Sequence, residues 1–250
     1  KGLAYHAAEV AACTNIASDH IGFDGIETLD QMALHKRQVV EKATACAVLN
    51  ADDPRCLGMA PHLRARRIAL FSLHGDTETI RGHVAAGGLA AVVRDEGGVP
   101  VMTLLDGDRV LPLLPVRDLP ASWSGRAAHN VENALCAAAL AYGAGVGAEA
   151  IAAALRELDT TPEVIPGRLN RVEGLPFRVL VDAAHNAHGL RALARLLDGA
   201  PSGSGARRLV FFARPDQTTA DIDAMAAEVA GAFDSFVCRD SIGMHGAEAG

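Results

Sequence analysis

Apolar and polar positions change their period several times along this chain, and the changes mark out its elements. Val10-Ala11-Ala12-Cys13 is a short apolar run that stops abruptly in Thr14, Asn15, Ser18, Asp19 and His20, as a buried strand does when it delivers polar side chains to the open edge of a sheet. Over residues 29–43 the spacing becomes helical: Leu29, Met32, Ala33, Val40 and Ala43 share one face, and Thr28-Leu29-Asp30-Gln31 fits a capping box at its start. Residues 45–49 are a second apolar strand, ending in Asn50, Asp52 and Asp53 before Pro54. A short helix is predicted within 57–66 and a strand over 67–72. Three short apolar runs, 89–94, 99–105 and 109–114, are then separated by Glu96-Gly97-Gly98 and Asp106-Gly107-Asp108, the turn chemistry of an antiparallel meander.

Beyond residue 125 helices return. An Ala-rich helix opens near Ala128 and runs to about Ala141, stopped by Gly143 and Gly145, and another spans 148–158. Prolines and lost periodicity over 159–167 suit a linker, which divides the chain into domains at 1–163 and 164–250. The second part reads strand, helix, strand, helix, strand, with strands at 178–181, 208–212 and 235–238 and helices near 188–198 and 218–232, giving a small parallel sheet. The fold class is therefore α/β throughout.

Half of the 250 residues are apolar, enough for two ordinary cores, yet no run approaches the length needed to span a membrane and no secretory leader pattern opens the chain. A formal charge of −7 with scattered arginines argues against a nucleic-acid partner. The five cysteines are widely spaced, mostly within apolar runs, and read as reduced core residues of a cytoplasmic protein. Because the chain starts mid-pattern at Lys1-Gly2-Leu3, it is expected to be a piece of a longer protein.

Some residues fit this frame badly. Lys36 falls within the apolar stripe of the first helix, where it either snorkels to water or is held by a specific partner. Asn130 and Asn133 near a helix start could cap it, Asp182 could cap the next helix, and Arg168 could be an ordinary linker charge.

Thr14-Asn15-Ile16-x-x-Asp19-His20, the helix with a central Lys, and Val48-Leu49-Asn50-Ala51-Asp52-Asp53-Pro54 together resemble the Mur ligase superfamily of ATP-dependent amide ligases. His129-Asn130-x-x-Asn133-Ala134 and Val181-Asp182-Ala183-Ala184-His185-Asn186 extend the resemblance along the chain, and the Mur-like part of cyanophycin synthetases is the nearest branch. The resemblance implies a partial central ATPase domain with an antiparallel insertion, then a Rossmann-like C-terminal domain. It assigns His20 to magnesium, with Lys36 as a second holder that is carbamylated in several members and is expected to be neutral or modified here. It places Asn130 on adenine, Arg168 on the phosphates and Asp182 on ribose, with His185 and Asn186 approaching the nucleotide. ATP and Mg2+ would be the cofactors, an amino acid (arginine, in the cyanophycin branch) and a polypeptide-like acceptor the partners, and the full-length protein a homo-oligomer.

Three departures accompany it. No Gly-x-x-x-x-Gly-Lys-Thr/Ser phosphate loop occurs in these 250 residues, so this chain alone is not expected to turn over ATP. Ala213-Arg214-Pro215-Asp216-Gln217 stands where the family has a glycine-rich Gly-Asp-Arg segment, and Ala183 replaces a Tyr. Asn170 stands where many Mur ligases have Glu.

Overall fold

The computed structural model describes residues 3–18, 25–198, 205–212, 214 and 217–239. Its framework is a six-stranded sheet, β1 (Ala8–Cys13), β2 (Ala43–Asn50), β3 (Arg67–Ser72), β4 (Leu89–Asp95), β5 (Pro100–Asp106) and β6 (Arg109–Pro115), arranged spatially in chain order. β1 to β4 are parallel and β4 to β6 antiparallel. The meander expected as an insertion is thus continuous with the parallel sheet, because β4 is hydrogen-bonded to β3 on one edge and β5 on the other.

Helices α1 (Leu29–Val40), α2 (Pro54–Leu57) and α3 (Glu78–Ala85) connect the parallel strands. Right-handed crossovers moving always in one direction put all three on the same face. Met32, Val40, Cys56, Met59 and Ile80 pack there against Ala47, Leu49, Leu70, Ala90 and Val92. Helices α4 (Ala128–Gly143) and α5 (Ala148–Glu157) cover the opposite face, where Val131, Leu135, Ile151 and Leu155 meet Cys46, Val48, Phe71, Ala91, Met102 and Leu104. Successive strand residues therefore alternate between two cores, as the pleat requires. α4 crosses β2 so closely that a Cβ on Gly143 would lie 2.7 Å from the Cβ of Cys46.

The capping box of α1 is formed: Gln31 N donates to Thr28 Oγ1 at 3.2 Å and Thr28 N to Gln31 Oε1 at 3.1 Å. Where a short helix is expected within 57–66, only a single 3-10 turn forms, at Ala60–His62, and α2 ends at Leu57 before it. α3, which starts at Thr77, has no counterpart in the sequence reading; its one fully buried residue is Ile80, too little apolar periodicity to declare a helix.

After residue 158 the chain folds around a side chain. Asn170, 4% exposed, donates from Nδ2 to the carbonyls of Thr160 (2.8 Å) and Ile165 (3.0 Å), and its Oδ1 accepts from Gly167 N at 2.6 Å. The segment expected as a plain linker is thereby pinned. β7 (Asn170–Val172) and β8 (Val179–Val181) form an antiparallel pair, while β9 (Arg208–Phe211) and β10 (Ser235–Cys238) form a parallel one. Helices α6 (Ala187–Asp198) and α7 (Thr219–Val229) pack together through Leu190, Met225 and Val229. The three strands expected in one parallel sheet are thus divided between two ladders among the described residues, since β8 takes β7 as its partner.

The two parts meet at the loop before α4. Ala127, Leu169 and Leu196 form a small buried cluster with Trp123 and Leu193 against it. Trp123 Nε1 donates to Thr160 Oγ1 at 3.1 Å, the Arg171 guanidinium lies 5.3 Å from the Trp123 ring centroid, and Arg126 donates to the Leu196 carbonyl at 2.9 Å.

Candidate active site

Four polar segments converge at the C-terminal edge of the parallel strands, where open α/β sheets bind ligands. They are the turn after β1, the Asn-Ala-Asp-Asp turn after β2, the start of α4, and the β8–α6 turn from the second part.

The turn after β2 organises the edge. Asn50 Nδ2 donates to the Thr14 carbonyl at 2.8 Å and to Glu132 Oε1 of α4 at 2.7 Å, and its Oδ1 accepts from Asp52 N at 2.8 Å. Asp52 accepts from Ser72 Oγ at 2.6 Å and from Leu73 N at 2.8 Å, which ties the ends of β2 and β3. Asp53 accepts from Ile16 N at 2.6 Å through one oxygen and caps α2 with the other, which accepts from Arg55 N at 2.8 Å. Burial pushes the Glu132 carboxyl above the usual carboxylate range, against the hydrogen bond from Asn50 and with the charges of Asp52 and Asp53 adding to the rise. Cys56 points its thiol at Cys13 Sγ 3.5 Å away, and that hydrogen bond and burial push Cys56 up; the same bond brings Cys13 down.

His20 lies outside the described residues. Lys36 stands on α1 with its side chain exposed, the solvent-facing one of the two settings its place in the stripe left open. α1 buries Met32 and Val40 and packs Ala33 and Val39 partly against the core, while Leu34, His35 and Lys36 face outward. The charge of Lys36 adds to the lowering of the Cys13 thiol.

Asn130 does not cap α4: its Nδ2 donates backward to the Ala121 carbonyl at 2.8 Å, and the N-cap residue, Ala127, has no capping side chain. Asp182 does not cap α6 either. Its two oxygens accept from Leu169 N (2.9 Å) and Ala184 N (2.8 Å), while Asn186 Oδ1 accepts from Gly189 N at 2.8 Å and so caps that helix. Asp182 grips Leu169, held left-handed at φ 50°, and the residue before it, Arg168, is exposed. His185 Nδ1 lies 2.8 Å from the Ala183 carbonyl, and Gln217 Nε2 donates to the His185 carbonyl. Burial lowers His129 below the usual imidazole range, with the charge of Asp182 opposing and that of His188 adding to the fall. Leu169, whose N–H donates to Asp182, packs on Ala127 at the start of α4.

The structure thus brings Asn130, Arg168, Asp182, His185 and Asn186 to one edge. Asn130 Nδ2, both Asp182 oxygens and Asn186 Oδ1 are engaged within the chain, and the described residues contain no group of three His, Cys, Asp or Glu placed to hold a metal ion. Glu132, His129 and Asn50 belong to the site without having been singled out for roles; His129 and Asn50 stand inside the motifs quoted above, and Glu132 lies between Asn130 and Asn133.

A family model for the Mur ligase middle domain matches residues 2–141. The chain belongs to the Mur ligase family. Cyanophycin synthetase of Synechocystis sp. is 32% identical across 100% of this Mur ligase chain, which covers 28% of that protein. UDP-N-acetylmuramoylalanine--D-glutamate ligase of Desulfitobacterium hafniense is 31% identical over 59% of the chain, 28% of that protein. Mycobacterium tuberculosis folylpolyglutamate synthase complexed with ADP shares the fold, with a TM-score of 0.62, 24% identity, and 92% of this chain matched to 47% of that one. The Mur ligase chain accordingly spans little more than a quarter of the length of the curated relatives it matches. No helix among its described residues is long and apolar enough to cross a membrane.

Proposed function

We propose that this chain is part of an ATP-dependent carboxylate–amine ligase that adds an amino acid, arginine, to an aspartate side-chain carboxylate of a cyanophycin-type polymer. The observation that carries this reading is the buried packing of Ala127, at the start of α4, on Leu169, whose N–H donates to Asp182; this brings the Asp182 turn to the Asn130 end of α4. The likeness to cyanophycin synthetases over the whole chain supports the choice of branch.

In this reading a carboxylate oxygen of the acceptor attacks the γ-phosphorus of ATP, releasing ADP and leaving an acyl phosphate. The amine nitrogen then attacks the acyl carbon, phosphate departs with the electron pair, and the nitrogen loses a proton. Asn130 orients adenine and Asp182 ribose, while His185 and Asn186 line the approach to the nucleotide. Arg168 adds a fork of donors to the phosphates. His20 and, when carbamylated, Lys36 would hold magnesium, which when bound offsets the repulsion between carboxylate and phosphate. The parts 1–163 and 164–250 act as two domains that close to exclude water from the acyl phosphate. A cytoplasmic homo-oligomer is the setting proposed for the full-length protein.

A second reading is a Mur-like scaffold without chemistry of its own. It is favoured by Gln217, which stands in the altered segment and is spent on the His185 carbonyl. The discriminating assay gives the full-length protein Mg-ATP and a short aspartate–arginine primer, with either aspartate plus arginine or the preformed dipeptide. Arginine-dependent extension that falls about 10²-fold in Asp182→Asn is expected. Extension by the dipeptide alone, indifferent to Asp182→Asn, would make this part a scaffold.

A further inference from the structure

Asn50 is 2% exposed and its amide is fully used: both Nδ2 hydrogens and Oδ1 have partners. One of those partners is a carboxylate from a helix 82 residues further along the chain. A half-buried carboxylate beside Asp52 and Asp53 is an expensive acceptor for a neutral amide, since burial and like charge both act against its ionised form. A solvent-facing contact or a second amide would satisfy Asn50 at less cost.

What the bond joins explains its use. On one side is the carbonyl of Thr14, the first residue after β1 and the start of the segment that leads to His20. On the other is α4, whose Asn130 precedes Glu132 by two residues on a rigid helix. Asp53 holds the same segment through Ile16 N, but Asp53 belongs to β2 and α2 and conveys nothing to α4.

We propose that Glu132 is a positioning residue: through Asn50 it fixes the Thr14 carbonyl, so that the segment leading to His20 and the Asn130 end of α4 are held as one unit. Its contribution is an accepted hydrogen bond at a set reach, and its charge is dispensable. The consequence for ligation rests on the function proposed above, whereas the coupling of the two segments does not.

The test uses the full-length protein with Glu132→Ala, Glu132→Asp and Glu132→Gln. Asp keeps the charge but shortens the arm by one methylene; Gln keeps the reach and the acceptor without the charge. Amide hydrogen exchange over residues 14–18 is expected to speed up about tenfold in Ala and Asp, the loss of one hydrogen bond, and to stay as in the parent protein in Gln. In parallel, the Mg2+ concentration for half-maximal ligation is expected to rise about tenfold in Ala and Asp, with the KM for the amine unchanged and Gln restored. Unchanged exchange in Glu132→Ala would overturn the proposal, as would a Gln variant as impaired as Ala. If the parent protein performs no ligation, the function proposed above falls, and the exchange measurement still decides whether Glu132 couples the two segments.

Discussion

The sheet of β1 to β6 and the region after residue 165 are built from the same strand and helix alternation, and they end in opposite states of burial. In the first, Val48, Phe71 and Leu89 are fully buried, because α1 to α3 clothe one face and α4 and α5 the other. In the second, α6 and α7 cover only the face of β9 that carries Leu209 and Phe211; Val210, between them, is 66% exposed, and Phe177 and Phe236 are also exposed. A parallel pair needs helices on both faces to bury its apolar residues, and here one face is left bare among the described residues. Much of the order in the second region must then come from Asn170 and from the Trp123 contact with the first.

The sharpest test of this contrast is a pair of truncations. Phe71→Ala is expected to cost about 3–5 kcal/mol, the transfer loss plus an unfilled cavity. Val210→Ala, largely in water already, should stay within about 0.5 kcal/mol. Guanidinium unfolding measures both, and comparable losses would erase the distinction.

A smaller effect is expected from Trp123→Ala, which removes the Leu169–Leu196 packing partner, the bond to Thr160 and the stacking of Arg171. About 1–2 kcal/mol of coupling should be lost, seen as faster limited proteolysis after residue 165 while the first region keeps its unfolding midpoint. A first-region midpoint that fell equally would mean that the two regions unfold as one.

The smallest effect concerns Asp106, which accepts hydrogen bonds from Arg67 and from Tyr142 at the outer part of the sheet. The Arg67 bond holds its carboxyl below the usual range, with burial opposing. A depressed folded pKa stabilises fully above the unfolded value near about 3.9 and is lost as pH falls below it through the folded value. Asp106→Asn should therefore cost about 1 kcal/mol near neutrality, and the difference from the parent should vanish in acid. A difference that stayed constant down to acid pH would remove the ionic contribution.

Much of the fold was legible because each element of the first region carries its own signal. The capping box at Thr28, the apolar runs of β1 and β2 and the Asp-Gly turn between β5 and β6 are local chemistry, and they formed where they were read. Lys36 faces solvent, one of the two settings its place in the stripe left open, and a helical stripe could not choose between them because it records spacing but not which neighbour covers it. Asp182 and Asn130 looked like caps because residue type near a helix start favours capping, whereas each makes its bonds backward along the chain.

By itself, the sequence determined the strand and helix alternation, the polar edge at Asn50 to Asp53, and the motifs that place the chain among the Mur ligases. Those are properties of local spacing and residue type. Only the tertiary structure decided that β4 joins the parallel and antiparallel halves, that β8 pairs with β7, and that Glu132 reaches Asn50 across 82 residues. Such pairings depend on which surfaces are left uncovered once the local elements exist, and that is settled by packing between distant segments.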